Sequence, residues 1–519
     1  MELLVTILFL LLCSVVLGWI ARHFAFPYPI ALVIGGAALG FAPHLPQFPF
    51  EPESILILFL PPILYQAALL TSWRDFRANL RPISMLAIGL VIVTTLAVGA
   101  AAKWLIPDLP WAAAFVLGAI VSPPDAVAAT AILSRLRIPR RVVTVLEGES
   151  LVNDASGLVM YKFAVAAVLT GGFSLAGASV EFVGVAVGGV AVGVTLGLLF
   201  VFIHRHLHDA FIEVLTSLSV PYVAYIVAEA VHVSGVLAVV AAGLVRGRYS
   251  PEIVSAEMRI LARSVWNILV FLLNSLIFIL IGMQLSAILS RLTGYSGRDL
   301  FLYGMLVSMV AIAVRFLWIY PATYLPRVFS ARVRERGPAP PEAETFIMSW
   351  CGMRGIVSLA AALALPEELA SGAPFPKRDL IIFLTFVVIA VTLVLQGLSM
   401  RPLIRRLQVG TDWSTQEEEQ LARLAMGKAA LAAIDGMAQS ENVAHDVAER
   451  IRAEFAEQVT VAVGPGVVLS PGSDLVKRLR RTAVRAERQE LIRIWRANQI
   501  SDEVLHRMEE SLDYQESRF

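Results

Sequence analysis

The chain has 519 residues, 57% of them hydrophobic and 16% charged, with a formal net charge of +1 and a mean hydropathy of +0.72. Ordinary soluble domains are about 25% charged, so this composition describes a polytopic membrane protein. The near-zero net charge gives no footing for nucleic acid as a partner, and the two cysteines, Cys13 and Cys351, both inside apolar runs, argue against a disulfide framework or a thiolate metal site.

A helix needs about 20 mostly apolar residues to cross a bilayer. On that measure the chain up to residue 404 parses into thirteen spans, beginning near residues 2, 27, 54, 83, 111, 143, 176, 211, 233, 262, 300, 344 and 379. The first, from about Leu3 to Ile20, lacks a basic lead-in and a small-residue cleavage pattern and reads as a span, not a removable signal. The loops on one side carry seventeen basic residues, among them Arg22, Arg74, Arg77, Arg81, Arg135, Arg137, Arg140, Arg141, Arg332, Arg334 and Arg336; those on the other carry five. That bias places the N-terminus outside and the C-terminus in the cytoplasm, in an inner (plasma) membrane protein.

The fifth span, "AFVLGAIVSPPDAVAATAILSRL", holds Pro123, Pro124 and Asp125 in its middle. Adjacent prolines remove two backbone donors and break the helix, which hydrocarbon tolerates only where the freed backbone is buried in protein or lines a cavity. The sixth span contains "EGESLVNDASGLVMYKFA". Ser150 and Asp154 are four apart and Glu147 is seven before Asp154, so the three share a helix face; Asn153 is rotated by about 100° and Glu149 points elsewhere. Charges inside a span are functional candidates by default. Asp154 is therefore read as the ion-handling group, with a structural ion pair as the alternative. Glu147 lies near the cytoplasmic entrance, where interfacial snorkelling competes with an ionic role, and Lys162 is expected to snorkel to the outer interface.

The eleventh span carries Arg315, which is matched to Glu149 because each otherwise lacks a partner. The twelfth, "FIMSWCGMRGIVSLAAALAL", is interrupted at Gly352 and Gly355 around Arg354. Interrupted helices at corresponding places in two halves point to an inverted repeat with the site between them. The fifth and twelfth spans correspond if spans one to six repeat as eight to thirteen. At such a crossing Asp125 offsets the positive half-helix ends and Arg354 the negative ones. From about Gln408 the composition turns polar, with 19 acidic and 14 basic residues from Thr411 onward and helix-start signals at Ser414, Ser473 and Ser501. The expected organisation is all-α: about thirteen transmembrane helices over residues 1–407 and a cytoplasmic helical domain over 408–519. The segment "VAVGPGVVLSPGSD" splits that domain.

Hard cations prefer oxygen ligands, and the site offers Asp154, the Ser150 hydroxyl, the Asn153 carbonyl, unwound backbone carbonyls from Val121 to Pro124, and water. One desolvated carboxylate holds a proton or a cation, not both. If the moving helices cross only when Asp154 is neutralised, exchange is obligatory. With Asn at 153 the expected stoichiometry is one for one and electroneutral. No cofactor is needed, the ions being cargo. A protease using Ser150 would need a base, yet all eight histidines sit in loops, at span ends or in the tail, and Lys162 is three turns away. A channel would pass cation without moving protons.

At these residues the chain resembles cation/proton antiporter family one, the NhaP-type sodium/proton antiporters and sodium/proton exchangers. "GESLVNDASGLVMY" is similar to their Asn-Asp segment, and "SPPDAVAATAIL" and "WCGMRGIVSLAAAL" to their two broken helices; the likeness runs through about residues 1–405. The resemblance implies a homodimer in membrane lipid with an elevator-like core, spans about 83–170 and 300–403. It implies Na⁺ or Li⁺ exchange for H⁺ at Asp154, supported by Ser150 and Asn153, with Glu149 paired to Arg315, in the service of sodium and pH homeostasis. Pro124 stands where NhaP-type members often have Thr, and Ala126 where exchangers have Pro. That removes a hydroxyl ligand and leaves the choice among Na⁺, K⁺ and Li⁺ open.

Overall fold

The computed structural model describes residues 2–24, 27–42, 52–125, 129, 133, 138–171, 175–207, 209–292, 294–329, 339–369, 372–407, 409, 414–440, 445–460 and 474–516. Outside them fall most of the fifth span beyond Asp125, with Ala126, Arg135 and Arg137. So do Arg332, Arg334 and Arg336, the helix start at Ser473 and the tail segment 461–473. Apart from one isolated bridge between Glu368 and Pro374, regular structure among the described residues is helical.

The chain opens with α1 (Glu2–His23), α2 (Tyr28–Gly40), α3 (Pro52–Leu70) and the short α4 (Trp73–Ala78). Next comes a long helix made of α5 (Leu80–Ser84), a π turn over Met85–Leu90 and α6 (Val91–Leu105), followed by α7 (Trp111–Val121). The middle of the chain forms α8 (Arg140–Thr170), α9 (Leu175–His206), α10 (Ala210–Ala230), α11 (Gly235–Ile253), α12 (Ala256–Arg291) and α13 (Gly297–Phe329). Then follow α14 (Glu342–Trp350), α15 (Ile356–Leu363), α16 (Arg378–Val391), a second π turn over Thr392–Gln396, and α17 (Gly397–Leu407). The C-terminal segment folds as α18 (Ser414–Ser440), α19 (His445–Thr460), α20 (Asp474–Arg496) and α21 (Asp502–Glu516). Seven of the helical runs, starting at Leu80, Arg140, Val180, Ala210, Met258, Gly297 and Arg378, are long and apolar enough to cross a membrane; α1, α2, α3 and α7 contain shorter apolar stretches.

Contacts divide the chain into two compact units. The larger comprises Met1–Phe200, Ser217–Gly247 and Asn267–Thr411, the smaller Val201–Thr216, Arg248–Trp266 and Asp412–Phe519. In the larger unit one apolar core joins α2, α6, α7, α8, α12, α13, α15 and α16. Small residues let backbones meet: a Cβ on Gly118 would lie 2.2 Å from the Thr95 carbonyl oxygen, which seats α7 directly on α6. The π turn leaves carbonyls outside the helical ladder. The Trp318 indole Nε1 donates to Met85 O at 3.0 Å and the Ser156 hydroxyl donates to Ala87 O, which holds α13 and α8 against this helix.

The smaller unit has its own core, with Phe455, Leu479, Leu491, Val504 and Leu505 buried at its centre. Ser501 caps α21, its hydroxyl accepting from the Val504 N–H at 3.3 Å. The sequence boundary at 407/408 follows composition alone, whereas this unit also takes in two stretches from the apolar part of the chain. Their tie is ionic. Arg259 forks onto Asp513, Nε to Oδ2 at 2.8 Å and Nη2 to Oδ1 at 2.7 Å, and Arg488 donates to the same Oδ1 at 2.9 Å. Arg263 pairs with Glu510 at 2.7 Å and Arg496 with Glu252 at 2.8 Å, while the Arg248 guanidinium lies 4.6 Å from the Trp495 ring centroid.

Burial pushes the Glu487 carboxyl of α20 from 4.5 up to about 7, and its Oε2 has no hydrogen-bond partner among the described residues. The folded unit then binds this proton more tightly than the unfolded chain. Its contribution is present below about pH 4.5 and is lost as pH rises to about 7, a change of about 3 kcal/mol. Glu487→Gln removes that loss. Hydrogen–deuterium exchange of residues 474–496 at pH 8, corrected for intrinsic rate, is expected to be slower in the variant than in the wild type; equal exchange would count against this account.

Candidate ion-binding site

The end of α7 and the interruption between α14 and α15 build the centre of the larger unit. α7 stops at Val121 because Pro123 and Pro124 cannot donate to the helical ladder. Between α14 and α15 the chain is non-helical from Cys351 to Gly355. The breaks close on one another: the Asp125 N–H donates to Met353 O at 2.6 Å. Any side chain at Gly355, the residue preceding α15, is excluded by the Asp125 carboxylate, since a Cβ there would lie 1.7 Å from Oδ2. Asp125 thus stands at the N-terminus of α15, where a helix favours negative charge.

Arg354 serves the opposite ends. Its Nε donates to Val121 O, the last carbonyl of α7, at 2.9 Å. Nη1 donates to Gly352 O and Nη2 to Ala311 O at 3.4 Å. Its own N–H donates to the Thr392 hydroxyl at the second π turn, 3.1 Å away. With the side chain 1% exposed, the cation is spent on carbonyls, two of which, Val121 O and Gly352 O, lie where the helices are interrupted. The Val121 carbonyl, expected from sequence as a cation ligand, accepts here from a guanidinium, whose charge opposes a cation on the same oxygen.

On α8 the side chains separate by face. Glu149 is buried and receives a two-pronged ion pair from Arg315 of α13, Nη1 to Oε1 at 2.5 Å and Nη2 to Oε2 at 2.7 Å, both side chains 1% exposed. Arg315 Nε is satisfied by Met348 O at 3.1 Å. On the other face, Glu147, Ser150 and Asp154 line a cavity of about 270 Å³ together with Pro123, Pro124 and Asp125, room for several waters. Asp154 is 6% exposed. Asn153 does not line the cavity. Its Nδ2 donates to Pro124 O at 2.9 Å, so its amide orientation follows from a partner that can only accept. Its Oδ1 has no partner among the described residues. Lys162 lies away from this group, exposed and 3.7 Å from Glu229.

Sequence reasoning missed three uncharged residues on the cavity wall: Gln66 of α3, Asn274 of α12 and Ser358 of α15. Asn274 Oδ1 and Ser358 Oγ are buried and unpartnered among the described residues. Asn274 carried a usable signal, a lone amide inside "ILVFLLNSLIFILIGM". Ser358 has the weaker mark of lying one helical turn beyond Arg354.

Removing one member of a buried pair strands the other charge, at a cost of about 3–5 kcal/mol. Glu149→Gln or Arg315→Met is expected to collapse the thermal transition of detergent-solubilised protein, and the double variant Glu149→Met with Arg315→Met to recover most of it. Single variants as stable as the wild type would remove the pair from its structural role.

The transmembrane sodium/hydrogen exchanger family matches residues 7–406. A Mycobacterium tuberculosis protein named as an uncharacterized Na(+)/H(+) exchanger is 35% identical, over 98% of this chain and 94% of its own length. A Bacillus pumilus protein named "Sodium, potassium, lithium and rubidium/H(+) antiporter" is 35% identical over 82% of this chain and 65% of its own. In fold, the sodium proton antiporter MjNhaP1 of Methanocaldococcus jannaschii matches with a TM-score of 0.60 at 22% identity, covering 78% of this chain and 99% of that one. With a family match across most of its length and relatives at this identity, the chain belongs to the sodium/hydrogen exchanger family, whose members are membrane transporters and not enzymes.

Proposed function

We propose that the protein exchanges one monovalent cation, Na⁺ or Li⁺, for one H⁺ across the plasma membrane, electroneutrally and by alternating access, with Asp154 carrying either ion. The observation that carries this reading is the position of Asp154: a nearly buried carboxylate on the wall of the cavity that lies where α7 ends and α15 begins. The neighbouring acids have other duties. Glu149 is neutralised by Arg315, Asp125 packs against the start of α15, and Glu147 stands on the cavity wall as an entrance residue.

A cation would be held by Asp154, the Ser150 hydroxyl, the Asn153 Oδ1 and the second lone pair of the Pro124 carbonyl, with water completing the shell. Desolvation makes a bare Asp154 costly, so the core moves with a proton or with a cation, and never empty. Asn153 supplies no second proton. In this scheme spans about 83–170 and 300–403 form the moving core of a homodimer built on inverted repeats. The fifth and twelfth spans are its crossing helices, the N-terminus faces outward and the C-terminal domain lies in the cytoplasm.

The name of the Bacillus pumilus relative includes potassium and rubidium, which favours a broader cation range as the second reading. Purified protein in liposomes with an imposed pH gradient tests both on addition of Na⁺, Li⁺ or K⁺. Wild type is expected to dissipate the gradient on cation addition, and Asp154→Asn to lose at least about 100-fold in rate, the scale expected when an essential proton-transfer group is removed. A variant that still dissipated the gradient would overturn the carrier assignment. On a solid-supported membrane a Na⁺ jump should move protons without a transient current. A current that follows the Na⁺ jump would rule out one-for-one exchange.

A further inference from the structure

A second cavity, of about 100 Å³, opens where the ends of three membrane-length helices meet, and three arginines line it: Arg81 of α5, Arg141 of α8 and Arg327 of α13. Arg81 and Arg141 both act electrostatically on Arg327, so three like charges share one small space. Among the described residues none of the three has a carboxylate partner. Arg327 donates through Nη1 to Thr323 O at 2.5 Å, but its Nε is shielded from solvent and unpartnered there. Asp75, six residues before Arg81, is already committed, because it is paired with Arg140. The remaining wall is apolar, formed by residues such as Met85, Leu86, Val145 and Ile319.

Gathering three guanidinium groups without a counter-charge is unfavourable unless an anion joins them. Guanidinium forks match phosphate oxygens in geometry as well as in charge. We propose that this cavity is a binding site for a phosphate-bearing anion, clamped by Arg81, Arg141 and Arg327. Two sources share that chemistry, a phospholipid headgroup and free inorganic phosphate. The headgroup fits the surroundings better, since the arginines stand at the ends of apolar spans and the wall offers hydrocarbon to the acyl end of a lipid. The site lies at the foot of α8, the helix that carries Asp154, yet its existence does not depend on what Asp154 transports.

Binding to the detergent-solubilised full chain, followed by native mass spectrometry and by thermophoresis, tests the proposal with three probes: phosphatidylglycerol, zwitterionic phosphatidylcholine and inorganic phosphate. Phosphatidylglycerol is expected to bind more tightly than phosphatidylcholine. Arg81→Gln or Arg141→Gln, at exposed positions that do not threaten folding, should each weaken it about fivefold, corresponding to about 1 kcal/mol per cation near an anionic headgroup. Adding Arg327→Gln to both should abolish the preference. The triple variant Arg401→Gln, Arg405→Gln, Arg406→Gln removes equal charge from the end of α17 and should bind as the wild type does. Phosphate binding that needs the same three arginines, without lipid preference, would assign the site to free phosphate. The proposal is overturned if the cavity variants bind all three probes like the wild type, or if the α17 variant loses as much as they do.

Discussion

Inside hydrocarbon a backbone group without a partner costs several kcal/mol, and the centre of the larger unit meets that demand at the end of α7 and in the α14–α15 connection. The hydrogen bond from the Asp125 N–H to Met353 O joins the breaks directly. Arg354 then covers carbonyls from α7, the α14–α15 connection and α13, and Asp125 occupies the position at which α15 presents its unpaired N–H groups. Once these groups are satisfied, the cavity between the breaks can be polar without the surrounding helices having to unwind.

The ion pair between Glu149 and Arg315 plays a complementary part. Pulling both charges out of water is costly, and their attraction offsets that cost only because the geometry is two-pronged and the third guanidinium donor finds Met348 O. The pair locks α8 to α13 on the side away from the cavity, so that Asp154 and Ser150 are presented on the opposite face of a fixed helix. Placing one carboxylate under neutralisation and another, five residues along, on an aqueous wall is how a single helix gives two acids unlike environments.

Much of this was legible in the sequence because helical period and bilayer energetics act locally. The spacing of Glu147, Ser150 and Asp154 is enough to put them on one face, and adjacent prolines are enough to end α7. What was not legible depends on side chains reaching between distant segments. That Arg354 donates to the Val121 carbonyl depends on how the α14–α15 connection meets the end of α7. Gln66, Asn274 and Ser358 escaped because uncharged residues raise little alarm in an apolar run. The makeup of the smaller unit was hidden for a similar reason: composition changes near residue 408, but Arg259 and Arg263 belong with Asp513 and Glu510, contacts about 250 positions apart that no local pattern announces.

The π turn at Met85–Leu90 bears on how this chain should be matched to others. A π turn is what remains when one extra residue is accommodated inside an α-helix. Here that extra residue is retained by two sockets, the carbonyls that hold Trp318 and Ser156. A residue-by-residue alignment with an uninterrupted helix must therefore carry a one-position gap between Met85 and Leu90. Without it, every equivalence drawn on one side of the turn is rotated by about 100° relative to the other, and residues facing α8 would be mistaken for residues facing lipid.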